Sequence, residues 1–580
     1  TNGPGWSPRT LGFLTGTSVC DWHIQLRTIG VSCGDSGGTE VTSIVLPAVG
    51  MFGQIPNEIG ALSALTKLDL STNTLGGTIP SSMGSLLLLE EVDISENSLR
   101  GTLLPSLFNL PELSVLHVND NEIRGSIPDS FSNATSLTSF FANENMLTGS
   151  IPEFVGQSTT LEGFLVETNQ LVGSIPEFSS SASIFRFAVG DNRLAGTIPS
   201  SLVQHPGMIQ ISVFDNSLTG TIPPFRGRFA STEYLDVSGN NLIGNFASIL
   251  SSLPPGRLSV LDVGENGITG QIPRTIGEYH QLTALRIDRN LLNGTIPSEI
   301  GRLTTLDTTL NLGSNFLTGV LPSSIGELSL LQNLFVDRNS ISGSIPTEMG
   351  GMTALEIFEA GSNLLNGTIP TEVANCVALR NFGVYGNVDI TGPVGDVVNS
   401  LPSSLSVAYL GRLDLHGTLP PTVGKFSRID ILRFQDNRLT GTLPSHMGRL
   451  TRLTDFDVGK NQMNGTVPSE LGSLTRLTRL EIDANQFSLA LPRQLSMLRS
   501  LEALDVSANS FTGSLAFLEG LLSLTNLLVY GNSFSDVSVL CNGGRLWTRF
   551  AANICGSTPD HQCSCCTHCC RTGSQVCSTI

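Results

Sequence analysis

The chain has 580 residues, a net charge of −18 and only 14% charged residues, with 61 glycines and 29 prolines. The acidic balance argues against nucleic acid, whose phosphates call for clustered Lys and Arg, and against docking on an anionic membrane surface. No apolar run reaches the roughly 18 residues that a membrane span needs.

In chain order, the opening TNGPGWSPRT shows neither the basic nor the apolar region of a signal peptide. A processed mature chain fits this start, and so does a chain whose anchor lies outside the sequence. Residues 1–40 carry Cys20, Trp22, Gly30, Val31 and Cys33 and precede any repeat. From residue 41 an internal period takes over. LTKLDLSTNTLGGTIP surrounds Asn73, LEEVDISENSLRGTLLP surrounds Asn97 and LSVLHVNDNEIRGSIP surrounds Asn121. The same asparagine slot recurs every 23 to 26 residues as far as Asn532. Two units lack it, at Val49 and Leu413, so residues 41–540 hold about 21 repeats of about 24 residues.

Each unit predicts a short strand, an asparagine-bearing turn, a second extended stretch GxIP and a brief helical return. In LTKLDLSTN, Leu65, Leu68 and Leu70 face inward and the residues between them face water. The asparagine amide offers both donors and an acceptor to backbone groups that the turn leaves bare. The glycine four residues later admits geometry that a Cβ would hinder, and the proline removes a donor where pairing stops. One unit cannot bury its leucine face alone, so stacked units share one core. The expected fold is an α/β solenoid, a curved right-handed superhelix on the order of 100 Å long at about 4.8 Å per strand.

The pattern LxxLxxLDLSxNxLxGxIPxxIGxL resembles the plant-type extracellular leucine-rich repeat of receptor ectodomains and polygalacturonase-inhibiting proteins. Residues 1–40 resemble that family's N-terminal cap, which implies a Cys20–Cys33 disulfide. The resemblance also implies that Cys376, in EVANCVALRNF, is a buried free thiol acting as a small apolar residue. The tail, residues 541–580, resembles instead the cysteine-dense ends of leucine-rich repeat proteins from diatoms and related algae.

Solvent-facing strand positions carry more acids than bases, so the concave face is expected to be acidic, most of all in its first half. Arginines and aromatics, with one acid, gather in one region on five of six successive units: Arg286, Arg289, Phe335, Arg338, Glu359, Tyr385, Tyr409 and Arg412. Such residues dominate interface energetics, so this patch is the candidate ligand site. Freely varying surface residues that cluster by chance are the competing account. The ladder breaks in the same region, with an insertion of about two residues between Asn387 and Leu413, read either as a ligand-binding feature or as a tolerated loop.

Ser or Thr before IP or LP recurs at Thr78, Ser126, Thr197, Thr295 and many later units. A hydroxyl row of this kind would suit an ice-binding face, although plant-type repeats commonly carry it. Sequons at Asn133, Asn293, Asn366 and Asn464 are candidate glycosylation sites. The histidines are scattered, and no zincin motif, nucleophile elbow, P-loop or GxGxxG fingerprint occurs. Neither an enzyme nor a cofactor is expected; calcium on an acidic column stays open because oxygen ligands abound there.

The tail holds Cys541, Cys555, Cys563, Cys565, Cys566, Cys569, Cys570 and Cys577. An even count in a short segment closing a solenoid predicts four disulfides of unassigned connectivity. Zinc on thiolates with His561 or His568 is the alternative, and redox activity a lesser one. Two functions follow. One is an extracellular or cell-surface recognition module for a protein, peptide or glycan, with membrane association only through an anchor outside this sequence. The other is a structural component of a matrix, wall or self-assembling filament.

Overall fold

The computed structural model describes residues 30–34, 40–225, 230–536, 540, 547–552, 568–570 and 577–579. Its contacts divide the chain into two units, Thr1–Gln271 with Arg289–Leu291, and Ile272–Asp288 with Leu292–Ile580.

The first unit opens with an antiparallel pair, Gly30–Cys33 against Val41–Val45. Every later strand of its main sheet is parallel, running from Lys67–Asp69 through Glu91–Asp93 and Val115–His117 to Val260–Asp262. Register repeats with the sequence period, so Leu68 faces Val92 and Val92 faces Leu116. These side chains are fully buried. Phenylalanines thicken the core, with Phe131 against Phe140 at 5.1 Å, Phe140 against Phe164 at 5.7 Å and Phe164 against Phe187 at 6.1 Å between ring centroids.

In the second unit the main sheet runs in parallel from Ala284–Arg286 to Arg549–Ala552. Its backbone continues to His568–Cys570 and an antiparallel Cys577–Thr579. A second set of strands follows the asparagine turn, for example Phe316–Thr318, Asp414–Thr418 and Ser510–Ser514.

The helical return is mostly a single 3-10 turn, as at Ser81–Ser85 and Ser469–Ser473, each entered from an extended proline. Five residues close i→i+3 bonds, and so short a return rarely goes on into an α-helix. Short α-helices stand at Ser200–Val203, Phe246–Ser252 and Val394–Ser400. The last lies in the unit where the ladder breaks. One extra residue sits in the turn after Asn387, where Val388 is exposed and Ile390 N donates to Asn387 O at 3.0 Å, and the other lengthens the return toward Leu413.

The asparagine ladder works as a four-bond clamp. Asn97 Nδ2 donates to Leu70 O at 3.0 Å, Ile94 O at 3.3 Å and Ser95 O at 2.9 Å, while its Oδ1 accepts from Leu75 N at 2.9 Å. Two of those partners belong to the preceding repeat, so each amide closes its own turn and ties it to its neighbour. The residue before the asparagine takes the left-handed conformation in unit after unit, with φ of 51° at Glu96, 51° at Arg338 and 52° at Lys460. Non-glycine residues tolerate this strain because the clamp over-determines the turn. The later glycine also has a positive φ, and a Cβ on Gly441 would lie 2.6 Å from Thr418 Cγ2 of the preceding repeat.

Cys33 is disulfide-bonded. Cys20 and all the tail cysteines except Cys569, Cys570 and Cys577 lie outside the described residues, and those three enter only as backbone. Cys376 is a buried free thiol whose Sγ donates to Met349 O at 3.3 Å. Among the described residues no helix is long and apolar enough to cross a membrane.

Candidate functional site

On the outward face of the main sheet, residues four before each ladder position stand side by side through the second unit. Register places Phe335 beside Glu359, Glu359 beside Gly383, Gly383 beside Tyr409, Tyr409 beside Arg433 and Arg433 beside Asp457. Two residues further on in its repeat, Tyr385 leans over the preceding one. A Cβ on Gly361 would lie 2.3 Å from Tyr385 Cε1, so only glycine leaves room for the ring.

Tyr385 and Tyr409 meet edge to face at 6.2 Å and 78°. The Arg433 guanidinium covers Tyr409 at 5.6 Å and is gripped by Asp455 through Nε at 3.0 Å and a second nitrogen at 2.6 Å. A bidentate fork of this kind fixes the plane of the guanidinium. Arg412 and Lys460 both reach Asp436, at 3.6 and 3.9 Å. Together these groups wall a groove of ≈ 530 Å³ whose floor includes Gly411, Gln435 and Asp457. Gln435 lies over Gly411, and its buried Oε1 has no hydrogen-bond partner among the described residues.

Three carboxyls along this face are held well above the usual carboxylate range, each to about 7. Burial is the main cause for Glu359, reinforced by Asp337. Asp457 is raised by burial and by Glu481 and Asp483, against one backbone bond from Gly459. Asp483 is raised by burial, Asp505 and Glu481, with Lys460 pulling the other way.

Of the residues singled out from sequence, Tyr385, Tyr409 and Arg412 converge on the groove. Glu359 borders the line of Tyr409, with its carboxyl over Gly383. Phe335 continues that line, and Arg338 sits on its left-handed turn with its guanidinium 4.0 Å from Asp337. Arg286 ends a strand of the second unit, whereas Arg289 belongs to the first, where it pairs with Glu265 at 2.7 Å. Sequence reasoning left Arg433, Gln435, Asp436, Asp457 and Lys460 out of the patch. Their spacing from the ladder was the available signal, since they repeat the slots of Tyr409, Gly411 and Arg412 one or two units later.

A second aromatic platform was also missed. In the first unit His117 stacks on Phe141 at 4.2 Å and 1°, with Arg186 6.0 Å above Phe141. Among the described residues no group of three or more His, Cys, Asp or Glu is arranged to hold a metal ion.

Parallel one-turn repeats closed by an asparagine ladder, with a polar and aromatic groove on the strand face, define a leucine-rich repeat solenoid. The Leucine Rich Repeat family model matches residues 64–86, 88–110, 112–134 and 308–328. A solved structure titled as the plant peptide hormone receptor RGFR1 in complex with RGF2 is 30% identical, covers 85% of this chain and 83% of its own, and superposes with a TM-score of 0.73. The Arabidopsis receptor kinase HAESA, in complex with the peptide hormone IDA and the co-receptor SERK1, is 26% identical over 98% of this chain and 95% of its own, with a TM-score of 0.73. A PEPR1–AtPEP1 structure is 29% identical over 92% and 81%, with a TM-score of 0.71. The chain belongs to the plant-type leucine-rich repeat proteins.

Proposed function

We propose that this protein is a non-catalytic recognition module that binds a peptide or protein segment across the groove of its second unit. The observation that carries the reading is the juxtaposition of Tyr385, Tyr409 and the forked Arg433. Aromatic and arginine anchors in a preformed recess are what interface hot spots require. Structures similar to this chain are titled as receptors in complex with peptides or peptide hormones, which supports the same class of ligand here. The disulfide at Cys33 supports an oxidising, extracellular setting. The cap boundaries, the Cys20–Cys33 pairing and the four tail disulfides are part of this proposal. Panning a random-peptide phage library against the full chain tests it. Enriched peptides should bind the wild type and lose at least about ten-fold on Tyr409→Ala, equivalent to about 1.4 kcal/mol. Equal binding to both chains would remove the groove from the function.

A further inference from the structure

We propose that an N-glycan on Asn293 packs its innermost N-acetylglucosamine on the ring of Phe316, making this pair a built glycan seat on the second strand set. This goes beyond ligand recognition and rests only on passage of the chain through a secretory pathway.

Asn293, in the sequon Asn293-Gly294-Thr295, and Phe316 are in-register partners on adjacent parallel strands of the second unit. Neighbouring strands lie about 4.8 Å apart. Both side chains are on the solvent side, because each alternates with a fully buried leucine, Leu292 and Leu317. Phe316 is 60% exposed, more than any other phenylalanine among the described residues, and Val320 on the same side is 55% exposed. A sugar linked to Asn293 Nδ2 therefore starts beside a bare aromatic face. Pyranose C–H groups carry a slight positive charge and the ring face a negative one, so the two attract while water leaves both.

The other two sequons in this slot supply internal controls. Asn366 is opposite Asp389, and Asn464 is opposite Gln486, neither of which offers a ring. All three asparagines are exposed, so access does not separate them. What separates them is the partner across the strand gap.

The test is secretion of the full chain from a eukaryotic host, with glycopeptide mass spectrometry and NMR of the carbon-13-labelled glycans. Asn293 should be occupied. Protons of its first sugar should show upfield ring-current shifts that vanish in Phe316→Leu and Phe316→Ser, while the Asn464 glycan keeps ordinary shifts throughout. Enzymatic deglycosylation should lower the melting temperature of the wild type more than that of either variant. An empty Asn293 beside an occupied Asn464 overturns the proposal, as do ordinary shifts for an occupied Asn293. If all four sequons are empty, the secretory reading fails and takes the seat with it.

Discussion

Arg433 lies over the Tyr409 ring at 5.6 Å while Asp455 holds two of its three guanidinium nitrogens. The cation is thus fixed in place before any ligand arrives. Arg433→Lys keeps the charge but loses the fork and the planar stack. Peptide binding is expected to weaken about ten-fold or more, measured by titration calorimetry, with the melting temperature nearly unchanged.

Glycines under the site are as specific as the side chains above them. A Cβ on Gly383 would lie 1.8 Å from Glu359 Oε2. Gly383→Ala should eject that carboxyl into water and return its pKa from about 7 toward the usual carboxylate range. An NMR titration of the Glu359 side-chain carbonyl reads this directly, and an unmoved midpoint would refute the placement.

Stability should depend on pH through the same face. Glu359, Asp457 and Asp483 have folded values of about 7 against ordinary values of 4.5, 3.8 and 3.8. Between those limits the folded chain keeps protons that the unfolded chain has released, so these groups make stability fall as pH rises through the window and level off above about 7. Urea midpoints for the wild type should drop between about pH 5 and pH 8. The drop should be smaller in the triple variant Glu359→Gln, Asp457→Asn, Asp483→Asn.

Each ladder asparagine serves two repeats. Asn461 Nδ2 donates to Phe434 O, Val458 O and Gly459 O, and its Oδ1 accepts from Leu439 N. Asn461→Ala strands buried backbone groups, at about 1–3 kcal/mol for each one left unsatisfied. A loss of about 3 kcal/mol is expected in chemical unfolding, whereas exposed Gln462 changed to Ala should cost under about 0.5 kcal/mol.

Cys376 should be silent toward thiol reagents. It is fully buried, and burial pushes its thiol up to about 11, so thiolate is scarce and access is closed. Labelling should appear only with unfolding, and Cys376→Ala should cost no more than about 1.5 kcal/mol.

The repeat was readable because its constraint is local and recurrent. Leu65, Leu68, Leu70 and Asn73 announce a strand and its clamp without reference to anything distant, and the same slots recur to Asn532. From those alone follow the unit length, the inward face and the asparagine bonds, whereas the buried state of Cys376 followed from the resemblance to plant-type repeats. The 3-10 form of the returns was less legible, since five residues after a proline fit either helix until packing is counted. Which exposed side chains form a site was legible only in part. Tyr385, Tyr409 and Arg412 stood out by type, but Arg433, Gln435 and Lys460 matter because of which glycine, tyrosine or aspartate the neighbouring strand sets beside them. Likewise the sequon at Asn293 was plain in one dimension, while Phe316 became its partner only through strand register. A repeat fixes what each residue faces within its own turn, and only stacking decides what it touches in the next.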